Sequence, residues 1–302
     1  MAVKIGEIIK FYRQKTGFSQ EELADQICSR KYIGDIEADK CTPTLDIVNL
    51  LSKKLGTDLY ATFSDIFRYG DIQTYFDSKE LRATIFKHDV PILEKCIQKY
   101  ENDPRFAKGE ALQELCYANA VLKGQKYDYQ GAAEWALRGL KERHPGFPDK
   151  DKTAFSNSDY SLLLSLGVSK GRLNQKEEAG VIFDMLMTDA LSHLSLKYEA
   201  ESNKAFYLDL LCSATSNKYY YCDADSENML DQIDQVLNYQ KTNNRSHMLC
   251  ELLLCKAALL SNAGRDKDAK EAYRQAKVFG SFYYDKERYK ILEDCLYKEK
   301  LK

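Results

Sequence analysis

The sequence predicts an all-α protein in two parts, a compact bundle of short helices followed by a solenoid of helical hairpins. Three observations predict it. Nearly every segment repeats its apolar residues at intervals of three and four, and strand-like alternation is almost absent. The first 65 residues break into several short helices. From about residue 71 onward, longer helices come in pairs. The expected domain limits are 1–66 and 71–302, in keeping with about 150 residues per domain.

In the N-terminal part, Val3–Lys15 is an amphipathic helix with Ile5, Ile8, Ile9 and Tyr12 on one side, and Gly17 stops it. Ser19 and Glu22 in the run SQEEL have the spacing of a capping box. The short helix Gln20–Gln26 then buries Leu23, Ala24 and Ile27. Cys28 and Ser29 make a tight turn, with Ser29 as N-cap of a helix over Arg30–Ala38. That helix puts Ile33 and Ile36 inward and Arg30, Lys31, Gly34 and Asp35 outward. Pro43 and Thr44 begin a fourth helix carrying Leu45, Val48, Leu51 and Leu55, which Gly56 ends.

The pairs of the second part are Ala107–Lys123 with Tyr129–Glu142, Ser158–Arg172 with Lys176–Ala190, Tyr198–Ser213 with Ser226–Gln240, and Ser246–Asn262 with Asp266–Phe279. Residues 71–101 read as a weaker pair broken near His88–Pro91, and 285–299 as a closing helix. The second helices carry stripes that begin with small residues. One runs Ala179, Ile182, Phe183, Leu186, Met187, Ala190, and another Ala269, Ala272, Tyr273, Ala276, Phe279. A third places Ala133, Ala136, Leu137 and Leu140 together. Small residues let helices approach closely, and the run NAGRDKDAKEAYRQA resembles the turn and second helix of a tetratricopeptide repeat. Such stacks bury a continuous core and leave an extended concave face.

Two short helices joined by a tight turn within a bundle form a helix-turn-helix unit, whose second helix can enter the DNA major groove. The stretch GFSQEELADQICSRKYIGDIEADKCTPTLDIVNLLSKKLG resembles the Cro/C1-type (XRE) helix-turn-helix. Within it, QICSRKYIGDIE resembles the Rgg/PlcR (RRNPP) group of peptide-responsive regulators of Gram-positive bacteria. The motif covers about 40 residues. The joining of such a domain to tetratricopeptide-like hairpins matches the organisation of that group along the whole chain. The sequence departs from the family where Asp39 stands in place of a frequent Gly, and where Gly34 and Asp35 stand in place of a common Ser and basic residue.

The resemblance implies a cytoplasmic quorum-sensing transcription regulator. It would bind double-stranded operator DNA as a homodimer under the control of a short imported signalling peptide. Gln20, Ser29, Arg30, Lys31, Tyr32, Gly34 and Asp35 are the expected DNA-binding residues. The resemblance also implies groove-lining Asn side chains that hold the peptide. An Asn amide can donate to and accept from a peptide backbone, and Asn119 and Asn203, inside predicted first helices, are the candidates. The rival readings are a constitutive repressor whose solenoid binds a protein, and a scaffold that no longer binds DNA. Residues 1–65 carry 9 basic and 10 acidic side chains, so any DNA contact must come from a local surface.

Composition excludes other classes. The balance of 44 Lys+Arg against 46 Asp+Glu gives no global basic field. No segment reaches the roughly 18 apolar residues of a membrane span; the richest, Leu249–Leu260, is interrupted by Glu251 and Lys256. The run MAVKIGEIIKFYRQK lacks an apolar h-region, so no signal peptide is expected. Nine scattered Cys without a CxxC pair suit a reducing, cytoplasmic compartment with thiols used as small hydrophobes. The four His, at 88, 144, 193 and 247, have no metal-ligand spacing, and no phosphate loop, GxSxG or HExxH occurs. No enzyme activity, cofactor or metal is expected. The 21 Tyr, as in KYYYCD and FYYD, are expected mainly in interhelical packing.

Overall fold

A computed structural model describes residues 3–87, 89–148, 154–196, 201–222, 226–243, 245–246 and 248–301, without the side chains of 201, 202 and 226. Among the described residues the chain is all-α, with sixteen α-helices, two single-turn 3-10 helices and no strand. By contacts it divides into two compact units, Met1–Leu122 with Glu142–Pro145, and Lys123–Lys141 with Gly146–Lys302.

The first unit opens with α1 (Ile5–Thr16), α2 (Gln20–Ala24), α3 (Arg30–Glu37), α4 (Leu45–Leu55) and α5 (Leu59–Tyr69). Their caps follow the sequence signals. Gly17 and Gly56 end α1 and α4 in the left-handed conformation. Ser19, Ser29 and Thr44 cap α2, α3 and α4 with their side chains. Ile8, Ile9, Leu23, Ile33, Ile36, Leu51, Leu59 and Ile66 form one fully buried core. Helix α5 extends the bundle beyond the four helices read from the sequence; Asp58 caps it and its Leu59 and Ile66 join that core. One approach is close enough to demand glycine. A Cβ on Gly6 would lie 2.0 Å from the Ile36 carbonyl oxygen, so α1 rests directly on the backbone of α3.

The unit continues through α6 (Ile72–Ile85), α7 (Val90–Tyr100) and most of α8 (Gly109–Gln125). These are the weaker pair and the first regular helix of the sequence reading. His88 lies outside the described residues, and Asp89 caps α7 with Pro91 in its first turn. Leu81, Leu93, Ile97, Tyr100, Phe106 and Leu115 make the core of this part.

The second unit contains α9 (Tyr129–Arg143, whose last two residues belong to the first unit), α10 (Asn157–Arg172), α11 (Lys176–Ser195), α12 (Glu201–Tyr221), α13 (Ser226–Thr242), α14 (Leu249–Asn262), α15 (Asp266–Tyr283) and α16 (Lys286–Leu296). The observed helices match the predicted pairs with shifted ends. Helix α12 runs eight residues beyond the predicted Ser213, while 198–200 lie outside the described residues. The stripe Ala179, Ile182, Phe183, Leu186, Met187, Ala190 is buried throughout, against α10 and α12. Gly167 lets α10 close on it, since a Cβ there would come 2.8 Å from the Phe183 ring. Burial pushes the Cys212 and Cys250 thiols up to about 12, and Cys255 is buried with them, as expected of cysteines packed as small hydrophobes.

Candidate nucleic-acid interface

The hairpin of α2 and α3 is fixed by side-chain caps, reciprocal at α2 and single at α3. Ser19 Oγ accepts from the Glu22 amide at 3.1 Å, and the Glu22 carboxylate accepts from the Ser19 amide at 2.7 Å. Between the helices, Gln26 adopts a left-handed φ of 61°, which turns the chain. Ser29 Oγ then accepts from the Tyr32 amide at 3.1 Å and starts α3. Each cap satisfies an otherwise orphaned amide, which fixes where the helix begins.

Helix α3 buries Ile33 and Ile36 and turns its other face outward. Ser29, Arg30 and Lys31 are exposed. Tyr32 is half-buried and packs against the bundle core, so only part of it is available for contact. Gly34 and Asp35 are half-buried on the same helix. Asp35 has Lys40 3.9 Å away, which partly offsets its charge.

Gln20 stands over this face. Its amide nitrogen donates to Glu37 Oε2 at 3.0 Å, and a Cβ on Gly34 would come 3.7 Å from its amide oxygen. Glu37 in turn receives both Nε and Nη2 of Arg13. This cluster joins α1, α2 and α3, and the sequence reading did not assign it a role. Nothing in the spacing of 13, 20 and 37 pairs them; only the tertiary approach does. Desolvation raises the Glu37 carboxyl, but the hydrogen bonds from Arg13 and Gln20 outweigh it and hold the group below the usual carboxylate range.

Asp39, the departure from the family glycine, has a left-handed φ of 59°. The backbone conformation that glycine would supply is therefore kept, and the Asp39 carboxylate pairs with Lys4. Asp tolerates this region better than most residues because its short side chain bonds locally.

The two Asn candidates fall in different units. Asn119 is half-buried in α8 and its amide nitrogen donates to the Leu115 carbonyl at 2.9 Å. Asn203 is exposed in α12; the predicted start at Tyr198 lies outside the described residues. No helix is long and apolar enough to cross a membrane among the described residues. Nor do three or more His, Cys, Asp or Glu gather there in a group that could hold a metal.

Residues 9–61 match the family model described as helix-turn-helix. No curated protein matches the chain by sequence. Among solved structures, the chain is similar to PlcR of Bacillus thuringiensis, solved in complex with the peptide PapR7 and DNA. The identity is 16%, the TM-score is 0.66, and 97% of this chain and 98% of that one are covered. It is also similar to Rgg2 of Streptococcus dysgalactiae, described as an SHP pheromone receptor, at 15% identity and TM-score 0.56 over 98% and 100% of the chains. A third is ComR of S. thermophilus, solved with DNA and its signalling peptide ComS, at 17% identity and TM-score 0.53 over 98% of each chain. The chain thus carries a helix-turn-helix domain at residues 9–61 and has, along its length, the fold of PlcR and Rgg2.

Proposed function

We propose that this protein is a cytoplasmic transcription regulator, without enzyme activity, that binds duplex DNA as a homodimer and answers to a short peptide. The observation that carries the reading is the presentation of α3. Its apolar side is locked into the bundle by Ile33 and Ile36, its start is set by the Ser29 cap, and Arg30 and Lys31 stand exposed in its first turn. A rigid helix that offers cations at its N-terminal end suits entry into the major groove, where these side chains reach phosphates and base edges. Gln20, Ser29, Tyr32, Gly34 and Asp35 complete the proposed contact surface. Asp35 would accept from a cytosine amine rather than meet phosphate.

The helical hairpins of residues 71–302 are assigned to dimerisation and peptide binding, with Asn119 and Asn203 as peptide contacts. The complexes of PlcR and of ComR with a peptide and DNA support this reading by shared fold. A peptide acts only through different affinities for the DNA-competent and incompetent states. Duplexes selected from a random pool by the full-length protein test the proposal. They should carry two inverted half-sites spaced by about one helical turn or a multiple of it. Failure to enrich any sequence, or enrichment of isolated half-sites, would contradict it.

A further inference from the structure

Within the second unit, the first turn of α14 and the end of α15 border a cavity of about 390 Å³. Ser246, Met248, Leu249, Tyr283 and Tyr284 line it, and Glu251 is its one charged lining residue. Glu251 is only 7% exposed. Its Oε1 accepts from the Tyr284 hydroxyl, whereas its Oε2 is buried and takes no hydrogen bond. Tyr284 stays in the donating form, because burial and the bonded Glu251 push its hydroxyl above the usual tyrosine range. Tyr283 is the exposed ring of the lining, and its hydroxyl lies 2.9 Å from Ser246 Oγ.

Glu251 differs from the other buried acids. Asp77, Glu114 and Glu293 face Arg105, Arg82 and Lys298. Asp159 accepts from the amide and the hydroxyl of Ser156 at 2.8 and 2.9 Å. Glu110 helps to hold the Arg68 guanidinium protonated against its burial. Among the described residues, Glu251 Oε2 is the one buried carboxylate oxygen left without a hydrogen-bond donor. Arg288 lies 5.3 Å from the Tyr284 ring centroid, on that ring, and does not pair with Glu251. The first turn of α14 favours a negative side chain through the helix dipole, which supports the charge but gives Oε2 no donor.

A buried acceptor without a donor costs stability, so the cavity beside it calls for an occupant that donates. A carboxylate pairs most strongly with a charged donor. The faces of Tyr283 and Tyr284 add attraction for a cation, while Met248 and Leu249 offer apolar wall to a hydrocarbon stem. The volume lies in the range of about 300–1,000 Å³ typical of small-molecule sites. A divalent metal would need more ligands than one carboxylate, and among the described residues no group of three or more His, Cys, Asp or Glu gathers to supply them. The carboxylate, the rings and the apolar wall together specify an organic cation.

We propose that the Glu251 cavity binds an ammonium or guanidinium group carried on a short aliphatic stem, with Glu251 Oε2 accepting from it and Tyr283 and Tyr284 beside it. Such a group comes from a free amine or from a basic side chain of a peptide, and the site stands whether or not the protein answers to a peptide. Calorimetry of the full-length protein with pentylamine and butylguanidine, and with pentanol as the neutral control, tests the first source. Two heptapeptide pools, with lysine or norleucine fixed at the central position, are retained on the protein and quantified by mass spectrometry to test the second. The wild-type protein should prefer the charged probe of at least one set by roughly tenfold, as expected for one charge-assisted hydrogen bond. A preference within the first set alone assigns a free amine, and one within the pools alone assigns a peptide side chain. Glu251→Gln should remove the preference and melt no lower than wild type, since it keeps an acceptor for Tyr284 and removes an unpaired charge. Tyr283→Leu, at an exposed ring, should weaken it roughly threefold and tests the site even if the Glu251 variant does not fold. Equal binding of charged and neutral probes in both sets, or a preference that survives Glu251→Gln, would overturn the site. A fall in melting temperature shared by Glu251→Gln and Arg288→Gln, with no amine or lysine preference, would show that Arg288 fills the cavity from within and would also overturn it.

Discussion

Arg13 of α1 and Glu37 of α3 meet through two hydrogen bonds, 2.6 Å from Nε to Oε1 and 2.9 Å from Nη2 to Oε2. The Arg13 Nη1 also donates to the Phe18 carbonyl at 2.9 Å. The pair therefore ties the end of the proposed DNA-reading helix to the helix behind it and to the entry of the hairpin. Both side chains are largely shielded, 12% and 4% exposed, so neither charge is well solvated alone.

Breaking this pair should leave an uncompensated buried charge. Arg13→Met should lower unfolding stability by about 3 kcal/mol, since loss of one partner of a buried pair costs about 3–5 kcal/mol and some water reaches this one. Urea titration followed by circular dichroism checks it. The pH dependence has a defined sign. The folded Glu37 carboxyl lies below its unfolded value. Its contribution is therefore complete above about pH 4.3 and fades as acid protonates it through the folded value. Glu37→Gln should flatten that part of the acid limb.

Gly6 gives a sharper test of the packing. Its missing Cβ leaves room for the Ile36 carbonyl, and an added methyl would sit at 2.0 Å. Gly6→Ala should destabilise the bundle by about 2–3 kcal/mol, because backbone cannot move aside as a side chain can. A melting temperature equal to wild type would show that α1 does not rest on α3 this way.

The turn between α2 and α3 offers the opposite effect. Gln26 holds a left-handed φ of 61°, which costs a non-glycine residue about 1–2 kcal/mol. Glycine relieves that strain but loses about 0.5–1 kcal/mol through unfolded-state entropy. Gln26→Gly should raise stability by a net of about 0.5–1 kcal/mol and leave DNA affinity unchanged. A fall in the urea midpoint would contradict the turn geometry.

Assembly has its own test. The intact protein at micromolar concentration should scatter light as two chains, since two heads need a fixed partner to span two half-sites. A single-chain mass in the presence and absence of duplex DNA would remove the homodimer from the account.

The fold was legible because its signals are local. The stripe from Ala179 to Ala190 announces a buried helix face by spacing alone, and Ser19, Ser29 and Gly56 mark helix ends through their own backbone bonds. The match of Arg30 and Lys31 to exposed positions follows from the same periodicity. What escaped depends on distance in space. The grip of Glu37 on Arg13 and Gln20 joins residues 24 and 17 apart in sequence. The back-bond of Asn119 to Leu115 is one of two options open to any Asn inside a helix.

The central claim is that α3 meets DNA through its exposed first turn. The most direct measurement is the salt dependence of binding to a selected duplex, for the wild-type protein and for the Arg30→Ala, Lys31→Ala double variant. Each phosphate left without its cation takes about 0.9 off the slope of log K against log salt. The double variant of a dimer should therefore bind more weakly, with a shallower slope, while its circular dichroism spectrum and mass stay those of wild type. Unaltered affinity and slope in the folded double variant would contradict the account.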